Sequence, residues 1–406
     1  MSDRAYLLFA QQQQDRGIDV EQVKAKIKAL KLETPSWGYA DSGTRFKVFA
    51  QPGVPRDPYE KLADAAEVHR VTGACPSVAI HIPWDKVEDY ARLKQHAEDL
   101  GIAIGAVNPN LFQEDDYIFG SVCSVDPRVR RKALAHLLEC VEIAKTVGSG
   151  VISIWLADGT NYPGQADLRK RKHWLMQALA ETCQAMPPDM RMMIEYKFYE
   201  PAFYHTDLTD WGMAFNAAVK LGEQAQVLVD TGHHPQGTNV EHIVAYLLDE
   251  QKLGGFHFNS RKYGDDDLIA GAINPYELFL IFHQIIAASA DENPGVRRTA
   301  ERIAYMIDQS YAIEPKIPAM IRSVLNVQTQ YAKALLVNLE ELGRAQEAQD
   351  VLAAENIVRE AFECDVRPLL RVVREEMGLP ADPMKAYLES GYADQILSRG
   401  KGGAGW

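Results

Sequence analysis

The sequence predicts an α/β protein, a (β/α)8 TIM barrel with N-terminal and C-terminal helical extensions. Three observations lead there. Short apolar runs alternate with amphipathic segments along most of the chain, the rhythm of parallel βαβ units. Seven such runs can be counted and an eighth fits ahead of the first long helix, and eight βα units over about 300 residues suit a closed barrel. No GxGxxG follows the first run, so a doubly wound open sheet lacks support.

The elements follow in order. Residues 1–35 read as a helical extension, with Val20, Val23, Ile27 and Leu30 at helical spacing. Residues 36–61 mix Gly38, Gly43, Gly53, Pro52, Pro55 and Pro58 with Trp37, Tyr39, Phe46 and Phe49, a loop composition with a heavy aromatic load. The eighth strand is expected here, at 37–41. PYEKLADAAEVHRVTG is a helix stopped by Gly73. The other strands are expected at 78–82, 102–107, 151–155, 190–195, 226–230, 254–258 and 303–308. Asp126 before Pro127 is an N-cap with proline at the first helical position. Further helices are expected around 165–185, 208–221, 239–251, 275–290 and 317–343. The barrel is assigned to 36–345. Residues 346–406 form a C-terminal helical extension expected to pack on a neighbouring element or another subunit.

Composition bounds the function. The chain has 406 residues, 47% apolar and 24% charged, which describes an ordinary globular protein. A net charge of −13 argues against nucleic acid, whose binding needs lysines and arginines to displace counterions. Five scattered cysteines without a CxxC pair suit reduced thiols. The apolar stretch in MSDRAYLLFAQQQQDRG is too short for a signal peptide, and no run is long enough to span a bilayer. The expectation is a cytoplasmic protein with no membrane partner.

Barrel enzymes carry their reactive groups at the C-terminal ends of the strands. RMMIEYK ends with Glu195 and Lys197, VLVDTGHH with Asp230 and His233, GGFHFNS with His257 and Asn259, and RIAYMID with Asp308. The loop after His257 adds Asp265, Asp266 and Asp267. Glu195 and Lys197 are two apart, so an extended segment presents them on one side. Singly, each has a bland reading: an aspartate ending a strand caps the next helix, and DDD is a solvated turn. Four strand ends in phase favour a metal site instead. Carboxylates crowded at one mouth repel unless cations sit among them. Mixed carboxylate and imidazole donors suit Mn²⁺, Mg²⁺, Co²⁺ or Zn²⁺, with donors enough for two ions and one bridging carboxylate.

WGYADSGTRF, ISIWLADGTNYPGQ, IEYKFYEPAFYHTD, LVDTGHHPQGTN, FHFNSRKYGDDDL and AYMIDQS together resemble the L-rhamnose isomerase family, in its broad-specificity branch, among the xylose-isomerase-like barrels. The resemblance runs over about residues 30–345 and continues more weakly into the tail. It implies that Glu195, Asp230, His257 and Asp308 hold a structural metal. It implies that His233, Asp265 and Asp267 hold a catalytic one, with Glu195 bridging. Two divalent ions per subunit are expected, Mn²⁺ first. Lys197, Trp155, His81, Trp37 and His233 correspond to substrate-site residues, and Phe46 to an aromatic lent to a neighbouring subunit of a homotetramer. The implied substrate is a small sugar. The implied reaction is interconversion of L-rhamnose and L-rhamnulose, with pairs such as D-allose and D-psicose as side activities. A metal that chelates two substrate oxygens polarises the carbonyl and favours a hydride shift between C1 and C2. Asp308, Asp265 or Asp267 would relay the hydroxyl proton, and Lys197 would stabilise charge on the substrate oxygen. Two rivals stand beside this reading: a metal-dependent phosphodiesterase or endonuclease on the same barrel type, and a non-catalytic sugar-binding barrel. The acidic charge speaks against the first, and the crowded carboxylates against the second.

Overall fold

Eight parallel strands close on one another in the computed structural model, which describes residues 2–43, 47–200 and 204–402. They are β1 (Glu33–Pro35), β2 (Ser77–Ile82), β3 (Ala103–Pro109), β4 (Val151–Ile154), β5 (Arg191–Glu195), β6 (Ala225–Asp230), β7 (Leu253–Phe258) and β8 (Ala304–Ile307). Each pairs with its neighbours in chain order, and β1 pairs with β8 to complete the ring. Helices lead in and alternate with the strands: α1 (Ser2–Asp15), α2 (Val20–Ala29), α3 (Pro58–Thr72), α4 (Tyr90–Asp99), α5 (Pro127–Val147), α6 (Leu168–Ala185), α7 (Trp211–Leu221), α8 (Val240–Asp249), α9 (Pro275–Ala288), α10 (Pro294–Glu301) and α11 (Lys316–Ala334). The tail adds α12 (Leu339–Glu347), α13 (Val351–Glu363), α14 (Arg367–Glu376), α15 (Pro383–Glu389) and α16 (Tyr392–Leu397). No helix among the described residues is long and apolar enough to cross a membrane.

The starts of the barrel helices are written in the sequence. Asp57, Asp126, Asp167, Asp210, Asn239 and Asn274 cap α3, α5, α6, α7, α8 and α9, each side chain accepting a first-turn N–H. Apolar residues of the helices then pack on the outer faces of the strands in one continuous core.

Two expectations are corrected. The strand expected at 37–41 lies at Glu33–Pro35, and Ser36–Tyr39 is a 3-10 turn. The reason is Glu33, a half-buried acid whose carboxylate accepts from Ala106 N at 3.0 Å and Ser77 Oγ at 2.9 Å. A short strand that opens on an acid leaves no apolar run to read. Gly105 makes room for it, since a Cβ there would lie 1.4 Å from Glu33 Oε2. The single helix expected at 317–343 is two, because α11 stops at Ala334 and Asn338 caps a new start at Leu339. The tail packs on neighbouring elements, one of the two placements expected: Leu369, Leu370 and Val373 of α14 are buried against the helices of the N-terminal extension, where Lys24 meets Glu376 at 2.6 Å. A small antiparallel sheet of 159–160, 199–200 and 204–206 also escaped the sequence reading, its strands being too short to carry a pattern.

Candidate metal and substrate site

Strand parity builds the site. Ala79, Ala106, Met193, Leu228 and Met306 pack together inside the barrel. Side chains alternate along a strand, so the residues two positions on also point inward, one layer nearer the C-terminal mouth. These are His81, Asn108, Glu195, Asp230 and Asp308. β7 obeys the same rule: Gly255 lies against Met193 Sδ, and His257 comes two residues later.

The inward groups converge on two clusters whose potential ligand atoms lie within 4.8 Å of one another. One is Glu195, Asp230, His257 and Asp308; the other is Asp230, His233 and Asp265. His257 Nδ1 is 3.2 Å from Glu195 Oε2, 3.7 Å from Asp308 Oδ2 and 3.9 Å from Asp230 Oδ2. Nε2 of His257 has no hydrogen-bond partner. His233 Nδ1 faces the Tyr196 carbonyl at 3.1 Å. A neutral His233 that donates from Nδ1 presents its Nε2 lone pair to the cluster, 3.3 Å from Asp265 Oδ1 and 4.0 Å from Asp230 Oδ2. The two oxygens of Glu195 divide between the imidazoles, with Oε1 at 3.3 Å from His233. Asp230 is common to both clusters, where the resemblance implies Glu195 as the bridge. Its carboxylate is fixed by the Asn259 side-chain amide at 3.1 Å and by Gly232 N at 2.6 Å. These donor sets could bind divalent metal.

The electrostatics of the groups ask for added positive charge. Burial disfavours charge on both imidazoles, yet Asp230 and Asp265 raise His233 to about 10, and Glu195 and Asp308 raise His257 to about 9. Burial pushes Asp230 up to about 6 and, with Asp230 and Glu195 adding to it, Asp308 up to about 7. Glu195 resists burial because His257 and His233 hold its carboxyl below the usual range. The carboxylates therefore draw protons onto ligands that a cation would otherwise occupy.

Lys197 follows β5 and donates to Asp265 Oδ2 and to Glu200, each at 2.6 Å. Burial opposes its charge, but Asp265 and Glu200 hold the ammonium well above the usual lysine range. The same contact, with His233, keeps Asp265 well below the usual carboxylate range despite burial. Asp267 lies beside this group rather than within it: its Oδ1 is 3.5 Å from Asn259 Nδ2, and burial and Asp265 push its carboxyl up. Trp37 donates from Nε1 to Asp308 Oδ1 at 2.7 Å and meets the His81 ring edge-on at 5.4 Å. Trp155 stands under Lys197, with the ammonium 5.0 Å from its ring centre. Two aromatics absent from the sequence reading join these into a wall. Trp84 stacks on His81 at 3.9 Å, and Phe112 bridges His81 and Trp155 at 5.9 and 4.8 Å. Both lie in loops after strands, where no periodicity marks an aromatic as inward-facing. Phe46 lies outside the described residues. A separate cavity of about 260 Å³ lies on the far side of Asn259, between Arg261 and α9, and none of the clustered acids or imidazoles lines it.

Residues 63–285 match the family described as the xylose isomerase-like TIM barrel. The chain belongs to that family. A probable sugar isomerase of Rhizobium meliloti is 42% identical over 94% of this chain and 89% of its own length. A probable sugar isomerase of Mesorhizobium japonicum is 39% identical over 98% and 92%. Among solved structures, an L-ribulose 3-epimerase superposes with a TM-score of 0.56, covering 76% of this chain and 98% of its own, at 15% identity. That last likeness concerns the fold. For this member of the xylose isomerase-like family, the clustered acids and imidazoles fall at the C-terminal mouth, where barrel geometry places such groups.

Proposed function

We propose that the protein is a metal-dependent aldose–ketose isomerase that interconverts L-rhamnose and L-rhamnulose, with pairs such as D-allose and D-psicose as side activities. The observation that carries this reading is the pair of carboxylate–imidazole clusters sharing Asp230, beside a lysine and an aromatic wall. The two relatives described as probable sugar isomerases, similar over nearly the whole chain, support it. Glu195, Asp230, His257 and Asp308 would hold one divalent ion, and His233 and Asp265 a second with Asp267 beside them, Glu195 and Asp230 reaching both. Mn²⁺ is the first choice, ahead of Mg²⁺, Co²⁺ and Zn²⁺. Bound there, such ions would supply Lewis acidity toward a carbonyl oxygen.

The chain's own groups divide the remaining work. Lys197 keeps its proton beside Asp265 and Glu200, so it acts as a fixed positive charge for a substrate oxygen rather than as a base. Asp265 is committed to Lys197 and His233 and stays anionic, which leaves Asp308 and Asp267 as the carboxyls suited to carrying a hydroxyl proton. Trp37, His81, Trp84, Phe112 and Trp155 would pack on the non-polar face of the sugar and exclude water. The same reading takes the assembly as a homotetramer, with the exposed Val351 and Leu352 of α13 available for subunit contacts.

A panel of aldoses incubated with the Mn²⁺-loaded protein tests the substrate. L-rhamnose is expected to give the highest kcat/KM and to yield L-rhamnulose. No ketose from any aldose would sink the reading.

A further inference from the structure

Asp85, in the turn after β2, is fully buried, and its carboxylate joins three pieces of chain. Oδ1 accepts from Lys61 Nζ of α3 at 2.7 Å. Oδ2 accepts from the His81 backbone N–H at 2.8 Å and from Ser36 Oγ. The Asp85 N–H in turn donates to the His81 carbonyl at 2.7 Å. Ser36 immediately precedes Trp37, and His81 stacks on Trp84. One carboxylate therefore ties the turn carrying Trp37 to the end of β2 carrying His81 and to the turn carrying Trp84.

A buried ion pair is a poor source of stability, because desolvating both charges offsets their attraction; its best-attested use is to fix registry. The docking of α3 does not require it, since Leu62, Ala65 and Val68 already bury that face. The Lys61 side chain is 1% exposed and the Asp85 side chain 0%, so each charge is spent on the other and on these turns.

We infer that Asp85, oriented by Lys61, is a positioning residue that sets the spacing of Trp37 from His81 and Trp84 and so the width of the sugar pocket. This rests on the isomerase reading for its substrate. The arrangement also serves His81. Burial and the Lys61 charge hold the imidazole well below the usual histidine range, and its Nδ1 is buried without a partner. A neutral ring fixed at that point can hydrogen-bond a sugar hydroxyl.

Ser36→Ala cuts one tie and leaves the ion pair intact. It should raise KM for L-rhamnose about tenfold with kcat held within about threefold and the melting temperature unchanged. Ser36→Thr, which keeps the hydroxyl, should restore KM. The neutral double variant Lys61→Met/Asp85→Leu, which removes both acceptor oxygens, should still show the raised KM. A wild-type KM in Ser36→Ala, or in the folded double variant, would overturn the positioning role; if the double variant fails to fold, Ser36→Ala decides alone. Crystal structures of the wild type and Ser36→Ala separate this inference from the isomerase reading. A changed Trp37–His81 spacing in a protein that turns over no aldose keeps the positioning role and rejects the isomerase. An unchanged spacing of 5.4 Å rejects the positioning role whatever the activity.

Discussion

Of three clusters among the described residues whose potential ligand atoms lie within 4.8 Å of one another, two differ in what neutralises their acids. Cys123, Asp158 and Asp207 form the first, Glu195, Asp230, His257 and Asp308 the second. In the first, Arg171 supplies the positive charge. Its side chain is 2% exposed, forks onto Asp207 at 2.7 and 3.0 Å, and donates to the carbonyls of Phe119 and Cys123. Asp158 accepts from Ser121 N, Ser121 Oγ and Cys123 N, each at 2.7 Å. Burial pushes the Cys123 thiol well up, away from the thiolate that a metal would need. Each acid in that cluster has hydrogen-bond donors of its own. In the second cluster the imidazole of His257 sits among acids, Nδ1 3.2 Å from Glu195 Oε2 and Nε2 without a hydrogen-bond partner. Proximity of donors does not distinguish a structural cluster from a ligand set; what neutralises the acids does.

Substitutions can break that contrast. The largest effect is expected from Glu195→Gln, which should lower isomerase kcat/KM by about 10³-fold or more while leaving chelator-treated stability near the wild type. Full activity in this variant would reject the bridging role. Arg171→Met should cost about 3–5 kcal/mol in denaturant unfolding, because it strands buried carboxylates without their cation. The rise in melting temperature on adding Mn²⁺ should survive Arg171→Met and vanish in Glu195→Gln; the reverse pattern would exchange the two clusters' roles. Lys197→Met should lower kcat by about 10²-fold and keep the Mn²⁺ response.

The smallest effect concerns a third buried charge, one with neutral acceptors. Lys316 donates to Ser42 Oγ at 2.7 Å and to the Tyr311 carbonyl at 3.0 Å, and burial pushes its ammonium down to about 8 from 10.5. Between those values the unfolded chain binds more protons than the folded one, so this site adds stability as pH rises through the window. Lys316→Met should flatten that slope in unfolding measured from pH 8 to 10. A slope that persists would assign it to another group.

The site was legible where chemistry coincided with strand parity. Glu195, Asp230, His257 and Asp308 stand at the ends of apolar runs, so period-two alternation brings them to one mouth. Seven barrel strands could be read for the same reason. β1 could not, because Glu33 interrupts its apolar character and Ser36–Tyr39 turns into a 3-10 helix. Trp84 and Phe112 were missed because loop aromatics have no period. Asp85 and Lys61 were missed because a buried ion pair between a helix and a distant turn leaves no mark at any fixed sequence spacing. The sharing of Asp230 depends on how the loops carrying His233 and Asp265 fold back, which spacing along the chain does not encode.

The central claim is that the carboxylate–imidazole clusters are stable as a catalyst only with divalent ions among them. Exhaustive EDTA treatment followed by Mn²⁺ titration, with L-rhamnulose formation and melting temperature read on the same samples, tests it most directly. The account predicts that isomerisation disappears with EDTA and that activity and melting temperature return together as Mn²⁺ is added. Undiminished isomerisation in the metal-free protein would contradict it.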